Sequence, residues 1–303
     1  MKRVASEILQ NEMLVGGESV IKFEQEFAKY IGTDYAVSTN SGSSALLLAF
    51  NVINTKNQDK VVTPSATFIA TINGACLLGA KPVFCEIGHD YVISPEQLEL
   101  TLNRNEVKCA IPVHLYGHPS NMSSIHDIAK KKKVTLIEDA AQAHGAQHKK
   151  MKVGSFGEAA IFSFYPTKNL TVGGDGGMIT TNNKKIYDFA SKMRDVGRKT
   201  KYTHDKIGYT LRVNSVNAGI GRVQLSYLDL WNEKRQKIAK RYRKKLQDLG
   251  DLILPPDDEP YNKSVYHMYV VRTKKRNLLR AWLSKNGIST RVHYPLPVHR
   301  QPV

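Results

Sequence analysis

Short runs of β-branched and apolar residues alternate with helical patterns along residues 35–181, and this alternation restricts the folds that the chain can adopt. Strands are predicted at residues 35–37, 61–63, 82–85, 109–113, 134–138, 159–164 and 178–181. Helices are predicted between them, at residues 43–52, 67–78, 95–102 and 122–131. This order is typical of an α/β protein with a mostly parallel sheet. In such a fold, ligands bind beyond the carboxyl ends of the strands.

The character of the sequence changes near its C-terminal end. Residues 254–260 form a proline-rich connector, which leads to a strand-like run at 266–271 and a helical pattern near 278–286. Gly287 follows that pattern and is predicted to end the helix. We therefore predict two domains, a large one at residues 1–227 and a smaller C-terminal one at residues 228–303.

The charge of the chain is strongly positive, with 44 basic and 27 acidic residues and a formal charge of +17. Nucleic-acid-binding proteins carry similar charge, so this balance alone leaves that class open. Much of the excess is local, in a run at 130–133 and on one predicted helix, at Lys234, Arg235, Lys237, Lys240, Arg241, Arg243, Lys244 and Lys245. Apolar residues of that helix recur at helical spacing, at Leu228, Trp231, Ile238, Tyr242 and Leu249. The spacing predicts that the cations occupy the solvated face.

The sequence indicates neither an N-terminal targeting peptide nor a membrane-spanning segment. The first residues mix charged and apolar positions without a signal-peptide pattern, and no apolar run approaches the length that spans a bilayer. Cys76, Cys85 and Cys109 are odd in number and lie in apolar surroundings, which favours buried thiols in a reducing compartment. We predict a cytoplasmic protein without a membrane partner.

One lysine has an unusual sequence environment. Residues 162–169 read Phe-Ser-Phe-Tyr-Pro-Thr-Lys-Asn, so that Lys168 follows an aromatic, strand-like run that a proline ends, and a glycine cluster follows at 173–177. A lysine at a strand end points into the ligand cleft, where partial burial lowers its pKa and makes the amine a nucleophile. The common alternative for a lysine is a solvated surface charge.

An acidic pair ends another predicted strand. Asp139 follows the apolar run at 134–137, in the sequence Ile-Glu-Asp-Ala-Ala-Gln-Ala-His-Gly at 137–145. A metal site formed by Glu138 with Asp139 is the alternative to a ligand-binding role, but adjacent residues of a strand point to opposite faces. We therefore predict no metal.

These two motifs, at 137–145 and 162–177, resemble those of the DegT/DnrJ/StrS family of pyridoxal-phosphate-dependent aminotransferases, which act on nucleotide sugars. The likeness runs from about Glu12 to the last residue. It implies an aspartate-aminotransferase-like fold, fold type I, and a homodimer with shared active sites. It also implies conversion of a keto group of a nucleotide-linked deoxysugar to an amine in amino-sugar or surface-polysaccharide biosynthesis, with glutamate as donor. A basic surface would attract such a diphosphate substrate.

The resemblance also implies roles for individual residues. Lys168 would bind the cofactor covalently and act as general acid and base, and Asp139 would pair with the ring nitrogen. Gly42 and Ser43 match the family's phosphate-binding element, although an N-cap serine is the plainer explanation for such a segment. The remaining cofactor contacts implied are Ser163 to the phosphate, Phe68 stacked on the ring, and Gln142 near the phenolic oxygen. Backbone bonding for Ser163 and core packing for Phe68 are the alternatives.

Two regions of the sequence depart from the family's pattern or match it loosely. Thr210 stands where many relatives carry an asparagine that reaches the phosphate in the neighbouring subunit, and threonine has a shorter reach. His293, Tyr294 and His299 fall in the region that relatives use around the sugar. Relatives also begin earlier and continue further, which predicts that the smaller domain is incomplete.

Other functions remain open at this point. A deoxysugar dehydratase branch of the family replaces the lysine by histidine, and Lys168 argues against it. A non-enzymatic pleiotropic regulator or nucleic-acid-binding protein would agree with the charge and with an old label of the family. That alternative requires a recognition helix, or basic and aromatic residues interleaved on a sheet face, and the sequence indicates neither.

Overall fold

The computed structural model describes residues 1–303 and contains ten α-helices around a seven-stranded sheet. The helices are α1 (Lys2–Asn11), α2 (Glu18–Ile31), α3 (Gly42–Val52), α4 (Ala70–Leu77), α5 (Pro95–Arg104), α6 (Met122–Lys132), α7 (Lys184–Met193), α8 (Ser215–Leu225), α9 (Leu228–Leu246) and α10 (Arg276–Lys285). The strands are β1 (Tyr35–Thr39), β2 (Lys60–Pro64), β3 (Lys81–Cys85), β4 (Cys109–Ala110), β5 (Thr135–Asp139), β6 (Gln147–His148), β7 (Met151–Lys152), β8 (Ala159–Ser163), β9 (Gly177–Thr181), β10 (Arg198–Thr200), β11 (Thr203–His204) and β12 (Asn262–Lys263).

The main sheet has the order β1-β9-β8-β5-β4-β2-β3. Strands β8, β5, β4, β2 and β3 are parallel to one another, whereas β9 is antiparallel to both β8 and β1. Six of the seven strands therefore run in one direction, and their carboxyl ends lie at one edge of the sheet. The predicted α/β class and mostly parallel sheet are confirmed.

Helices cover both faces of this sheet, and alternate side chains of each strand pack against opposite layers. On β8, Phe162 packs with Phe23 and Phe27 of α2, while Ile161 packs in a second cluster with residues of α3, α4 and α7. A third cluster lies between the sheet and helices α5 and α6. Because β8 is buried on both faces, it reads in sequence as a continuous apolar run.

All seven strands predicted for the main sheet are present, but the expectations for the run at 266–271 and for Cys76 were wrong. The run at 266–271 is not a strand, because the chain offers it no strand to pair with. The amides of Val265 and Met268 donate instead to the carbonyls of Gly117 and Tyr116. Cys76 is exposed rather than buried, whereas Cys85 and Cys109 are buried.

Helix α9 begins at Leu228, and six of its eight basic residues point to solvent as predicted. Its predicted apolar face is only partly buried: Leu228 is fully buried and Trp231 half-buried, whereas Ile238, Tyr242 and Leu249 are exposed. The helix buries Asn232 and Ala239 instead. Arg235 and Arg243 are half-buried and donate to backbone carbonyls of residues 255–267.

Gly287, with φ of +75°, follows the end of α10 as expected. The domain division at residue 228 stays a prediction. None of the helices is both long enough and apolar enough to cross a membrane.

Candidate active site

A cavity of about 450 Å³ opens beyond the carboxyl ends of β1, β5 and β8. Its position is the one expected for a ligand in an α/β fold, because the loops after parallel strands meet there. Nine of the residues predicted for the site line it, namely Gly42, Ser43, Phe68, Asp139, Gln142, Ser163, Lys168, His293 and Tyr294.

Lys168 enters the cavity from the segment that follows β8. Pro166 and Thr167 form a turn in which the amide of Lys168 donates to the carbonyl of Tyr165 at 2.8 Å. The side chain is half-buried, and burial lowers the pKa of its amine while the nearby Asp139 carboxylate opposes that change. A larger fraction of the amine is therefore unprotonated near neutral pH than for a surface lysine.

Asp139 ends β5 and is almost fully buried. Its Oδ2 accepts a hydrogen bond from Thr71 Oγ1 at 2.7 Å, and its Oδ1 accepts one from the amide of Ala141 at 3.1 Å. Burial raises the pKa of this carboxyl despite those two bonds and the attraction of Lys168. The chain thus leaves a buried carboxylate incompletely compensated, which is the electrostatic setting that a cationic ligand atom would relieve.

The start of α3 supplies an anion site on the other side of the cavity. Ser41 is the N-cap and accepts from the amide of Ser44 at 3.1 Å, so Gly42 and Ser43 form the first turn, whose amides have no intrahelical acceptor. A side chain at Gly42 would place its Cβ 2.7 Å from Cβ of Ser163. Glycine is required there because it lets α3 approach Ser163, and the hydroxyls of Ser43 and Ser163 then line one cavity.

Gln142 connects the cavity to a segment far along the chain. Its Oε1 accepts from the amide of Tyr116 at 2.8 Å, and its Nε2 donates to Oη of Tyr294 at 3.1 Å. The ring of Tyr294 lies 5.5 Å from that of Phe68, and Tyr116 Oη donates to the carbonyl of His293. These contacts hold the 293–294 segment against the cavity. Phe68 is half-exposed in its mouth and is not a core residue.

Two predicted site residues lie outside this cavity. Thr210 is exposed, in a bridge with Asp195, and His299 is exposed with its ring against Phe84 at the edge of β3. His144, the histidine of the 137–145 motif, also lies outside the cavity. It is buried between Phe162 and Phe164, and burial lowers its pKa to about 3, so it is a neutral packing residue.

Sequence reasoning missed Thr71 and His267, which line the cavity, and Tyr116, which does not line it but bonds to Gln142 and His293. Thr71 lies in the segment 64–71 that supplies Phe68, and its spacing of four from Thr67, to which it is hydrogen bonded, was an available signal. Tyr116 and His267 lie in segments that carry no local signal for a cavity.

Comparison with known proteins extends this description. The model of the DegT/DnrJ/EryC1/StrS aminotransferase family matches residues 1–303. The chain belongs to this family. A "pleiotropic regulatory protein" of Geobacillus stearothermophilus is 39% identical over 99% of this chain and 81% of its own length. The dTDP-3-amino-3,4,6-trideoxy-alpha-D-glucose transaminase of Streptomyces venezuelae is 37% identical over 97% of this chain and 78% of its own.

The crystal structure of DesV of S. venezuelae has the same fold, with a TM-score of 0.96 and 36% identity, over 99% of this chain and 81% of the DesV chain. The protein is therefore an aminotransferase of the nucleotide-sugar-modifying family, and its cofactor is pyridoxal phosphate. The residues of the cavity fit that cofactor: one amine, one buried carboxylate for a cationic nitrogen, and a helix start beside two hydroxyls for a phosphate.

Proposed function

We propose that this aminotransferase converts a keto group of a nucleotide-linked deoxysugar to an amine, with glutamate as donor, in amino-sugar or surface-polysaccharide biosynthesis. The observation that carries the proposal is the meeting of Lys168 and Asp139 in one cavity beside the helix start at Gly42. These groups come from three strand ends that lie far apart in sequence, and together they suit a cofactor with an aldehyde, a ring nitrogen and a phosphate.

Pyridoxal phosphate, when bound, supplies an aldehyde that binds amines covalently and a ring that withdraws electrons from the attached carbon. The residues of the chain bind and orient that group. The amides of Gly42 and Ser43, with the hydroxyl of Ser163, would bind its phosphate. The carboxylate of Asp139 would pair with its ring nitrogen and keep that nitrogen protonated.

Lys168 is assigned the proton transfers. It is the only lysine that lines the cavity, and burial lowers its pKa toward the range in which an amine can both take and return a proton. Its Nζ would remove the proton from the α-carbon of the amino donor in one half-reaction, and in the other half-reaction it would deliver a proton to the sugar carbon that becomes aminated. Phe68 and Tyr294, whose rings lie 5.5 Å apart, cover the cavity mouth and exclude water.

A nucleotide-linked sugar is supported by two observations. The relative from S. venezuelae bears the name of a transaminase of a dTDP-linked sugar. The charge of +17 favours an approaching diphosphate, because a basic protein attracts anions over several ångströms. His293 and Tyr294, at the cavity wall, are proposed to contact the sugar, whereas His299 does not line the cavity and packs against Phe84.

A homodimer with shared active sites is part of the proposal. Thr210 is exposed and lies outside the cavity of its own chain, so it can contact a cofactor phosphate only in a neighbouring subunit. Phe68 and Tyr165 are about half-exposed beside the cavity, at 51% and 52%, and offer an apolar surface that a second chain could cover. The cytoplasmic location remains a prediction.

The test begins with the purified chain and added pyridoxal phosphate. We expect a visible absorption band, and borohydride reduction that attaches the cofactor to Lys168, found by peptide mass spectrometry. The Lys168→Ala variant is the control: once unbound cofactor has been removed, borohydride should attach none to it. A panel of nucleotide-linked keto sugars with glutamate would then identify the substrate through release of 2-oxoglutarate.

Failure would have a clear form. A colourless protein with no label at Lys168 would contradict the proposed aminotransferase function of this cavity. Salt-sensitive DNA binding would then be measured, because phosphate contacts by a basic protein weaken steeply as salt rises. Activity with free inosose sugars but none with nucleotide-linked sugars would instead correct only the substrate.

A further inference from the structure

A second cavity, of about 610 Å³, lies next to the active-site cavity. Met268 and His293 line both cavities, so these two side chains form a shared wall. The second cavity continues between the segments 268–273 and 289–293 and helix α10. Its volume is in the range of small-molecule sites, and the reaction described above gives it no role.

The charged side chains of this second cavity are all positive. No acidic residue lines it, whereas four exposed arginines do, namely Arg272, Arg276, Arg280 and Arg291. None of the four forms an ion pair with a carboxylate, although Arg194, Arg212 and Arg222 elsewhere each do so. Guanidinium groups that line one cavity without a counter-ion repel one another, and each presents a planar set of donors that fits phosphate oxygens. The second cavity is therefore suited to a phosphate-containing anion.

Helix α10 directs part of this charge into the cavity through the spacing of its residues. Arg276, Leu279, Arg280 and Leu283 all line the cavity, and they follow one another at intervals of three, one and three positions, so they lie on one face of the helix. That face combines two cations with two apolar side chains. It can therefore contact a ligand that has both a charged and an apolar part.

Two tyrosines add an aromatic surface to the second cavity. The guanidinium of Arg272 lies over the ring of Tyr91, 5.3 Å from its centroid, and the ring of Tyr116 meets that of Tyr91 edge-on at 5.5 Å. Both tyrosines have a positive φ, of 68° and 60°, which is rare for bulky residues and occurs mostly at functional sites. A guanidinium stacked on a phenol ring presents a flat surface on which an aromatic base can pack.

We propose that the second cavity binds the nucleoside diphosphate of the substrate while the linked sugar lies in the active-site cavity. The four arginines bind the diphosphate, and the stacked Tyr91 and Arg272 side chains bind the base. This arrangement fits a nucleotide-linked sugar, because its keto carbon must reach Lys168 while the nucleoside extends past the shared wall at His293. The inference rests on the nucleotide-linked substrate proposed above, and it assigns recognition of the nucleotide to residues that do not hold the cofactor.

The test measures binding of thymidine diphosphate, uridine diphosphate and guanosine diphosphate to the full chain by isothermal titration calorimetry. Pyridoxal phosphate is bound first and its excess removed, so that the helix start at Gly42 is already occupied. We expect at least one of the three to bind about ten times more tightly than inorganic pyrophosphate, because the base adds stacking contacts that pyrophosphate lacks. Equal affinity for pyrophosphate would contradict a site for the nucleoside.

Arg276→Gln and Arg280→Gln should each raise the dissociation constant about tenfold, as expected for the loss of one hydrogen bond between charged groups. Arg241→Gln is the matched control, because Arg241 is an exposed arginine of α9 that lies outside both cavities and its loss changes the net charge equally. It should leave the dissociation constant unchanged. Absence of binding by all three nucleoside diphosphates, or one affinity shared by all three variants, would overturn the proposal.

A kinetic measurement distinguishes this proposal from the proposed reaction. Binding of a nucleoside diphosphate requires neither turnover nor reaction at Lys168, so a chain that borohydride leaves unlabelled can still show binding that depends on the arginines. With the sugar substrate, Arg276→Gln and Arg280→Gln should raise KM about tenfold and leave kcat nearly unchanged, because they contact a part of the substrate that does not react. A decrease in kcat at unchanged KM would contradict a role in nucleotide binding.

Discussion

At the scale of single residues, the site contains two ionisable side chains whose burial disfavours their charged forms. Asp139 is a buried carboxyl with a raised pKa, and Lys168 is a half-buried amine with a lowered one. Each shift disfavours the charged form, since burial outweighs the attraction between the two groups. A ligand that pairs with Asp139 and bonds to Lys168 relieves both costs, so the cofactor is expected to stabilise the chain as well as to activate it.

Replacement of Asp139 by asparagine should therefore act in opposite directions on stability and on activity. Because the pKa of the Asp139 carboxyl is higher in the folded chain than in the unfolded chain, the unfolded chain releases this proton at a lower pH. The carboxyl of the unaltered protein therefore lowers the free energy of unfolding as pH rises above the unfolded-state pKa of about 3.9. We expect cofactor-free Asp139→Asn to be about 1 kcal/mol more stable than the unaltered protein at neutral pH. The gain should vanish at acid pH, as urea unfolding at both pH values would show.

Turnover of the same variant should fall by about 100-fold or more, because asparagine cannot keep the ring nitrogen protonated. Thr71→Val is the matched control, since it removes the 2.7 Å hydrogen bond to Oδ2 and leaves the carboxylate in place. Its activity loss should be much smaller. Equal losses in the two variants would mean that the hydrogen bond, and not the charge, is what matters at this position.

At the scale of secondary-structure elements, the alternation of side chains along β5 places the Glu138 carboxylate in the protein interior and the Asp139 carboxylate in the cavity. Glu138 points away from the cavity and is fully buried, with Oε1 accepting from the amides of Phe156 and Gly157 and Oε2 from that of Gly154. His114 Nε2 lies 3.1 Å from the same Oε2. These bonds anchor the loop that leads into β8, and so they set the position of Lys168 indirectly.

Glu138→Gln is expected to destabilise the cofactor-free chain by about 2–4 kcal/mol, because the new amide nitrogen would face two hydrogen-bond donors and could accept from neither. The amide nitrogen of glutamine would meet the N–H of Gly154 and that of His114 Nε2, which is protonated because Nδ1 accepts from the amide of Ser120 at 3.0 Å. Thermal or urea unfolding measures the loss. Glu158→Gln, at an exposed glutamate just before β8, is the control and should change little. A stable Glu138→Gln would show that the loop does not depend on this carboxylate.

At the scale of the whole molecule, the question is whether one chain contains a complete active site. All the lining residues described here come from one chain, but Thr210 lies outside its own cavity, on the segment that precedes α8. In a homodimer with shared sites, each cavity would combine Lys168 of one subunit with Thr210 of the other. The two positions can therefore be altered separately in the two subunits.

Co-expression of Lys168→Ala and Thr210→Glu chains tests that arrangement. Each variant alone should be inactive, since one lacks the amine and the other places a carboxylate against the cofactor phosphate. Random mixing makes half of the dimers hybrid, and each hybrid has one intact site, so about a quarter of the unaltered activity should return. Mixing the purified homodimers without exchange is the control. A co-expressed mixture with no activity, or an active Thr210→Glu homodimer, would argue against a shared site.

The positions of the strands, and the placement of Asp139 and Lys168 at strand ends, were determined by the sequence alone. The spacing of apolar residues and the residues that end a strand are local features that span only a few positions. They can therefore be recognised directly in the sequence. The wrong strand at 266–271 arose because strand-like composition does not supply a pairing partner.

Only the tertiary structure decided which distant segments complete the site. Gln142 bonds Tyr294 across 152 positions, and Asn169 orients His267 across 98. Thr71 reaches Asp139 across 68. No local period encodes these contacts, because each exists only once packed helices and the sheet have brought two separately folded segments within hydrogen-bond distance.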